Sequence, residues 1–106
     1  MNAADLERFL AKRGETVTLR REGAPNVDVD VKAYVRELQA DELVGDLKQI
    51  DRRIIISNGP IADAAWPGPP LINDRVIRGG KTYSVLLPGT RKIGEAVVGH
   101  WMIVRG

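Results

Sequence analysis

The chain has 106 residues, of which 43% are apolar and 28% are charged, and its formal net charge at pH 7 is +2. A chain of this length buries roughly two-thirds of its unfolded surface on folding, so we expect a single domain over residues 1–106. With no cysteine and one histidine, the composition excludes disulfides, thiolate metal sites and cysteine nucleophiles. No apolar run approaches the ~20 residues of a membrane-spanning helix, and the start does not resemble a signal peptide. We therefore expect no membrane partner.

The charge is distributed unevenly along the chain. Residues 1–53 contain ten Lys/Arg and eleven Asp/Glu, whereas residues 54–106 contain six and three. This asymmetry is compatible with neighbours of complementary charge. It is too weak to indicate a DNA-gripping face, because such faces concentrate basic residues.

The first dozen residues predict a short helix. Leu6, Phe9 and Leu10 fall on one face at helical spacing. Gly14 ends the helix after two basic residues, which are favourable near a helix C-terminus. A helix this short is not stable alone, so it must dock on another part of the chain.

Alternating apolar and polar residues then predict strands. The first covers residues 15–22, and the second, Val27–Glu37, has the cleanest alternation in the chain. Eleven residues at ~3.3 Å each span roughly 36 Å, so this strand must bend or project beyond the core. Leu38–Asp46 fits either a helical turn or an irregular crossing. A third strand is predicted over Leu47–Ser57.

A long proline-rich loop is predicted over residues 57–74. Proline lacks the backbone donor, so the segment Trp66–Pro70 cannot form a helix or a central strand. A connection of this length in a compact domain is typically functional or disordered. The apolar side chains of Trp66, Leu71 and Ile72 favour burial, either in the domain itself or in a partner, and we expect the loop to project.

The last third of the chain is predicted to be β. Residues 75–77 and 82–87 form a hairpin around Gly79-Gly80, because glycine supplies the positive φ of a tight turn. Pro88-Gly89-Thr90 is expected to end that strand, and Glu95–Arg105 forms the final one. The fold class predicted is mainly β: a small barrel or sandwich of five to six antiparallel strands, with a short N-terminal helix and the long proline-rich loop.

Three patterns bear on catalysis, and each has a simpler interpretation. Gly79–Thr82 resembles the end of a phosphate-binding loop, but Arg75 stands where that motif needs glycine. His100 has no second histidine or cysteine with which to share a metal, so we interpret it as a packing or interface residue. Asp28 and Asp30 lie ~7 Å apart on one strand face, a spacing that suits hydrolysis or a divalent cation, although such a face is normally just solvated. We predict no catalytic residue, no metal and no cofactor.

Two arginine doublets lie on predicted strands, Arg20-Arg21 and Arg52-Arg53. Neighbouring residues on a strand point to opposite faces, so one arginine of each doublet is expected to be partly buried and paired. Candidate partners are Asp51 and Glu22. A subunit boundary is the alternative, since arginine is enriched in interfaces.

The second half of the chain combines a run of motifs, namely Leu47-Lys48-Gln49-Ile50-Asp51-Arg52-Arg53-Ile54-Ile55-Ile56, a Pro/Gly loop, Asp74-Arg75-Val76-Ile77, Gly79-Gly80-Lys81-Thr82-Tyr83-Ser84-Val85 and the ending Val104-Arg105-Gly106. This series resembles the head-closure (stopper) and head–tail connector proteins of tailed bacteriophages and related gene transfer agents. Members of that family commonly combine an Asp-x-Val-x-x-x-Gly-Lys-x-Tyr-x-Val hairpin with a final strand. The likeness covers residues 47–106.

The resemblance implies a structural role without chemical turnover. Such proteins are small β-barrels that assemble into a ring, here expected to be six- or twelve-fold, and the ring closes or gates the DNA channel. The implied partners are other copies of the chain, the portal-adaptor protein on the head side, and a tail terminator or tail-tube protein on the tail side. Double-stranded DNA passes without sequence-specific contact. The implied location is the virion neck, assembled in the host bacterial cytoplasm.

The interface is expected on loops and arms. The candidate segments are residues 58–73 and 88–94, and the interface residues predicted are Pro60, Trp66, Pro67, Pro69, Pro70, Leu71, Ile72, Arg52, Arg53, Arg91 and Lys92. Three alternatives stay open: a tail-terminator or tail-tube-like ring protein, a nucleic-acid-binding barrel of the OB type, and a small enzyme using Asp28, Asp30 or His100.

Overall fold

The computed structural model describes residues 2–43, 45–48 and 50–106. Its elements in chain order are α1 (Ala3–Arg13), β1 (Glu15–Arg21), β2 (Val27–Glu37), a 3₁₀ turn (Ala40–Glu42), β3 (Arg52–Ser57), α2 (Asn58–Asp63), β4 (Arg75–Arg78), β5 (Lys81–Ile93) and β6 (Ala96–Arg105). The strands form a closed barrel in the order β1-β2-β3-β6-β5-β4, and every neighbouring pair is antiparallel. The predicted fold class, mainly β with a short N-terminal helix, is confirmed.

The barrel interior is filled by the alternate apolar residues of each strand. The strand residues of this core are Val17, Leu19, Val29, Val31, Ala33, Ile54, Ile56, Val76, Val85, Met102 and Val104, each at most 8% exposed. Branched and straight aliphatic chains of this kind fill a narrow barrel without leaving a channel through it. The strict alternation in β2 is what places Val29, Val31 and Ala33 on this inner face.

Helix α1 packs against the outside of the wall formed by β2, β3 and β6. Its start is capped by Asn2, whose side-chain oxygen accepts a hydrogen bond from the Asp5 amide at 2.8 Å. Leu6 and Leu10 are buried against the wall, as the helical stripe predicted. The close approach requires Gly99, because a Cβ there would lie 2.6 Å from the Ile56 carbonyl oxygen and 2.7 Å from Leu6.

The proline-rich loop predicted over residues 57–74 is only partly a loop, because Asn58–Asp63 forms the helix α2. Ser57 caps this helix by accepting a hydrogen bond from the Gly59 amide at 3.4 Å. Pro60 is the third helical residue, where the missing donor costs nothing because the first-turn amides have no intrahelical partner. Of the predicted loop, the part up to Asp63 is therefore helical.

Strands β5 and β3 also differ from the prediction. β5 does not end at Pro88-Gly89-Thr90 but continues to Ile93, paired with β6 and with register shifts between Val85 and Leu87 and between Arg91 and Lys92. Proline is tolerated where a strand has a free edge or a bulge. β3 begins at Arg52 rather than at Leu47, because the Asp51 carboxylate accepts a hydrogen bond from the Lys48 amide at 2.9 Å and closes a local turn. Within the expected strand, Gln49 lies outside the described residues.

A charged cluster fixes the 3₁₀ turn to the barrel. The Glu42 carboxylate accepts two hydrogen bonds from the Arg36 guanidinium, at 2.7 and 2.8 Å, and one from the Gln39 amide at 2.8 Å. The guanidinium of Arg53 lies 3.7 Å from the same carboxylate. The hydrogen bonds from Arg36, more than any other cause, lower the pKa of Glu42 to about 2.

This cluster predicts a component of acid sensitivity. The folded-state pKa of Glu42 lies below its ordinary value, so its contribution to stability is present above about pH 4.5 and is lost as the pH falls toward 2. The free energy of unfolding of Glu42→Gln should therefore fall less steeply over that interval than that of the wild type. Denaturant titrations at several pH values measure the slopes, with Glu95→Gln in an exposed turn as the control. Equal slopes for Glu42→Gln and the wild type would contradict the assignment.

Candidate interaction surface

One end of the barrel gathers the long segment that connects β3 to β4 and the turn between β5 and β6. The antiparallel registers place the last residues of β1, β3 and β5 and the first residues of β2, β4 and β6 at this end. Helix α2, the segment 64–74 and the turn between β5 and β6 therefore lie together here. We call this the loop end of the barrel.

Trp66 closes the loop end from within the chain. Its side chain is 4% exposed and belongs to the barrel core together with Ile61 of α2. The indole N–H donates to the Val27 carbonyl oxygen at 2.9 Å, so the polar atom of the ring is satisfied. Of the two environments that the sequence left open for Trp66, the structure shows burial in the domain itself, which leaves almost none of the ring exposed for a partner.

Arg21 fastens the segment around Trp66 to the barrel. Its guanidinium donates to both carboxylate oxygens of Asp74, at 3.0 and 2.7 Å, and lies 4.6 Å from the centre of the Trp66 ring. It also donates to the carbonyl oxygens of Pro67 and Pro69. The hydrogen bonds to Asp74 raise the pKa of Arg21, which stays charged. The arginine doublet predicted a partly buried, paired arginine here, but the partner Asp74 is 53 residues away along the chain and sequence spacing does not reveal it.

The remaining predicted loop residues fall into two groups. Pro60 is half-buried and Pro70 is buried, whereas Pro67 and Pro69 are exposed at the surface. Leu71 and Ile72 are 50% and 58% exposed, which makes them the large apolar side chains that the segment presents to solvent. The exposed part of this predicted interface is therefore narrower than the sequence suggested.

The predicted residues Arg52 and Arg53 lie away from the loop end, since they begin β3 and the loop end is where β3 finishes. The guanidinium of Arg53 lies over the ring of Trp101, 4.8 Å from its centre. Arg52 lies 3.8 Å from Glu37 and donates to the Ile50 carbonyl oxygen at 2.9 Å. The structure does not bring this doublet together with the proline-rich segment.

Arg91 and Lys92 lie on a two-stranded extension of the barrel. Residues 92–93 pair only with 96–97, and every residue from 91 to 97 is exposed. Gly94 has a φ of +60°, which a tight hairpin turn needs and glycine adopts freely. Ile93 and Val97 are 47% and 37% exposed. We call residues 91–97 the hairpin tip.

A groove that the sequence did not predict lies between α1, α2 and the outer face of β1 and β2. It has a volume of about 500 Å³, and buried Leu10 contributes to its floor. Glu7, Asp30 and Asp63 bring three carboxylates to it, against one cation from Lys32. The signal was missed because α2 was not predicted, so nothing placed Asp63 near the other two acids. We call this the acidic groove.

His100 is a packing residue at the base of the hairpin. It is 3% exposed, and its Nε2 lies 2.9 Å from the side-chain oxygen of Asn58. Burial lowers the pKa of His100, so the ring is neutral at pH 7. Of the two roles expected for it, packing or interface, the free chain shows packing.

Asp28 and Asp30 are each held by a side chain of β1. Arg20 donates two hydrogen bonds of 2.8 Å to Asp28 and thereby lowers its pKa, and Thr18 donates to Asp30 at 2.6 Å.

Over residues 2–43, 45–48 and 50–106, no three acidic or histidine side chains are grouped so that they would hold a metal ion. Within the same residues, neither helix is long and apolar enough to cross a membrane.

Comparison with known proteins adds no family to this description. No protein-family model matches the chain, and no curated protein is significantly similar to it.

Proposed function

We propose that this chain is a structural component of a virion neck: a protomer of a ring that closes or gates the DNA channel at the head–tail junction and provides the surface to which the tail attaches. The proposed role involves no chemical turnover. Its partners would be further copies of the chain, the portal-adaptor protein on one side and a tail terminator or tail-tube protein on the other. The sequence resemblance over residues 47–106 motivates this proposal.

The observation that carries it is the extension of β5 and β6 beyond a barrel that is already closed. The core is complete without the hairpin tip, so these residues add nothing to the barrel's own packing. From Leu86 onward, the described part of β5 has a strand neighbour on one side only. An unpaired strand edge is a template for pairing with another chain. Leu87, Ile93 and Val97, all on this strand pair, are at least 37% exposed.

A surface of this kind suits a ring. In a ring each protomer presents one patch to one neighbour and a different patch to the other, and the contact closes when the rotation between copies is right. Exposed apolar side chains that the fold does not need are typical of protein contact surfaces. The hairpin tip and the exposed Leu71 and Ile72 provide such patches at the loop end of the barrel.

The geometry favours this role over nucleic-acid binding of the OB type. OB barrels have five strands and are partly open, whereas this barrel has six and is closed. Single-stranded nucleic acid stacks on exposed aromatic faces. Here Trp66, Trp101 and Tyr83 each already have a cation of the same chain over the ring, at 4.6, 4.8 and 5.1 Å.

Electron microscopy of the purified chain mixed with the portal-adaptor complex tests the proposal. We expect an additional ring on the tail-facing end of that complex. The variant Ile93→Ser/Val97→Ser should keep its barrel fold and lose the ring, because it removes the two exposed apolar side chains of the hairpin tip. A chain that binds no neck component, and instead retards single-stranded DNA in a salt-dependent gel shift, would contradict the proposal in favour of nucleic-acid binding.

A further inference from the structure

The hairpin tip and the acidic groove lie on either side of helix α2. Pro60 and Asp63 of this helix line the groove. Asn58 and Ala62 of the same helix line a second cavity, to which the tip contributes Lys92 and Val97. Within one chain, α2 therefore separates the tip from the groove.

The two features are complementary in charge. The tip presents Arg91 and Lys92 against a single acid, Glu95, and all three residues are exposed. The groove presents Glu7, Asp30 and Asp63 against one cation, Lys32. Opposite charges across an interface steer association and fix its register.

They are also complementary in apolar surface. The groove has the apolar residues Leu10, Ala11 and Pro60 among its lining. The tip carries Ile93 and Val97, which are 47% and 37% exposed. They lie on opposite faces of a narrow ribbon, because Val97 pairs with Lys92 and Ile93 pairs with Ala96. Inserting the ribbon into the groove would bury one of these side chains against each wall, with the charged residues at the rim.

We propose that the occupant of the acidic groove is the hairpin tip of a second copy of this chain. Arg91 and Lys92 contact the groove carboxylates of the neighbouring copy, and Ile93 and Val97, on the two faces of the ribbon, contact the opposite walls of the groove. Because the contact joins two different surfaces of the chain, it is head-to-tail, and it repeats until the assembly closes. This inference rests on the proposed ring and specifies which residues make its protomer-to-protomer contact.

A charge-exchange experiment on the full chain tests this contact. The tip variant is Arg91→Glu/Lys92→Glu and the groove variant is Asp30→Lys/Asp63→Lys, whose acids stand on β2 and α2. Glu7 is left unchanged because it accepts a hydrogen bond from Ser57, the residue that caps α2. Each variant alone should associate at least about 100-fold more weakly than the wild type in sedimentation velocity, because like charges then face each other. In an equimolar mixture both contacts become complementary again, so assembly should return.

The controls separate this inference from the role on which it rests. Thermal unfolding of each variant shows whether the variant remains folded. Where a charge reversal lowers the unfolding midpoint, it is replaced by the neutral variant of the same residues, Arg91→Gln/Lys92→Gln or Asp30→Asn/Asp63→Asn. Each neutral variant should weaken association and make the association less dependent on salt. Wild-type-like assembly of either variant, or a mixture that stays unassembled, would overturn the tip-to-groove contact while leaving the neck ring standing. A wild-type chain that never associates would overturn both.

Discussion

Replacing Trp66 with alanine should lower the free energy of unfolding by about 3–5 kcal/mol, as is usual for truncating a buried tryptophan. The side chain is 4% exposed, closes the loop end of the barrel and donates a hydrogen bond to the Val27 carbonyl oxygen. Its loss also removes the ring on which the Arg21 guanidinium lies. Small domains are stabilised by only about 5–15 kcal/mol in total, so this change approaches the limit of what the fold tolerates. Chemical denaturation followed by circular dichroism measures it.

The matched controls come from the same segment. Leu71→Ala removes a side chain that is 50% exposed and should change stability by less than about 0.5 kcal/mol. Trp66→Phe keeps most of the apolar volume and loses the hydrogen bond to Val27. Its loss of stability should therefore lie between those of Leu71→Ala and Trp66→Ala. If Trp66→Ala were no more destabilising than Leu71→Ala, the tryptophan would not be part of the core. It would then be better described as an exposed residue that binds a partner.

The second large effect is expected at Arg105. The Asp51 carboxylate is completely buried and accepts hydrogen bonds from Arg105 at 2.7 and 2.8 Å, which hold its pKa below the ordinary value. Arg105→Met leaves that buried carboxylate without its cation, so we expect a clear loss of stability at pH 7. Without the guanidinium, burial should raise the pKa of Asp51 above its unfolded value. The lost stability should then return in part as the pH falls from 7 toward 4, the reverse of the wild-type trend.

A double variant makes this result specific. Arg105→Met/Asp51→Asn removes the charge together with its partner, so it should recover much of the loss at pH 7 and show no reversed pH dependence. Urea titrations of wild type, single variant and double variant at pH 7, 5.5 and 4 provide the comparison. A single variant that loses stability on acidification in parallel with the wild type would show that Asp51 is not left as an unpaired buried carboxylate.

The sequence predicted the parts of the fold that depend on local periodicity. The alternation from Val27 to Glu37 gave β2 with its observed bounds, and the stripe of Leu6 and Leu10 gave the buried face of α1. Gly79 and Gly80, both with positive φ, form the turn between β4 and β5 as expected. In each case the residues of one local segment are enough to predict its structure.

What the sequence could not predict depends on contacts between distant segments. The predicted loop over residues 57–74 included Pro60, although proline in the first turn of α2 is compatible with a helix. No local sequence pattern indicates that Asp74 pairs with Arg21, because the two residues meet only when the barrel brings β1 and the start of β4 together. The acidic groove has the same origin, because its carboxylates come from α1, β2 and α2.

The predicted interface residues illustrate the same division. Arg91 and Lys92 were predicted as part of the loop segment 88–94, and the structure shows them exposed on a β-ribbon. Trp66 and Pro70 were chosen as surplus apolar residues, and the structure shows both buried in their own chain. Exposure follows from the closure of the barrel, which residue composition does not specify.

The most direct test of the proposed ring is the mass of the assembled wild-type chain, measured by native mass spectrometry over a range of concentrations, alone and with the portal-adaptor complex. One protomer has a mass of 11.7 kDa. A closed ring predicts one discrete species at a fixed multiple of that mass, six or twelve, with few intermediates, because each added copy completes a head-to-tail contact. A single 11.7 kDa species under every condition would contradict the account.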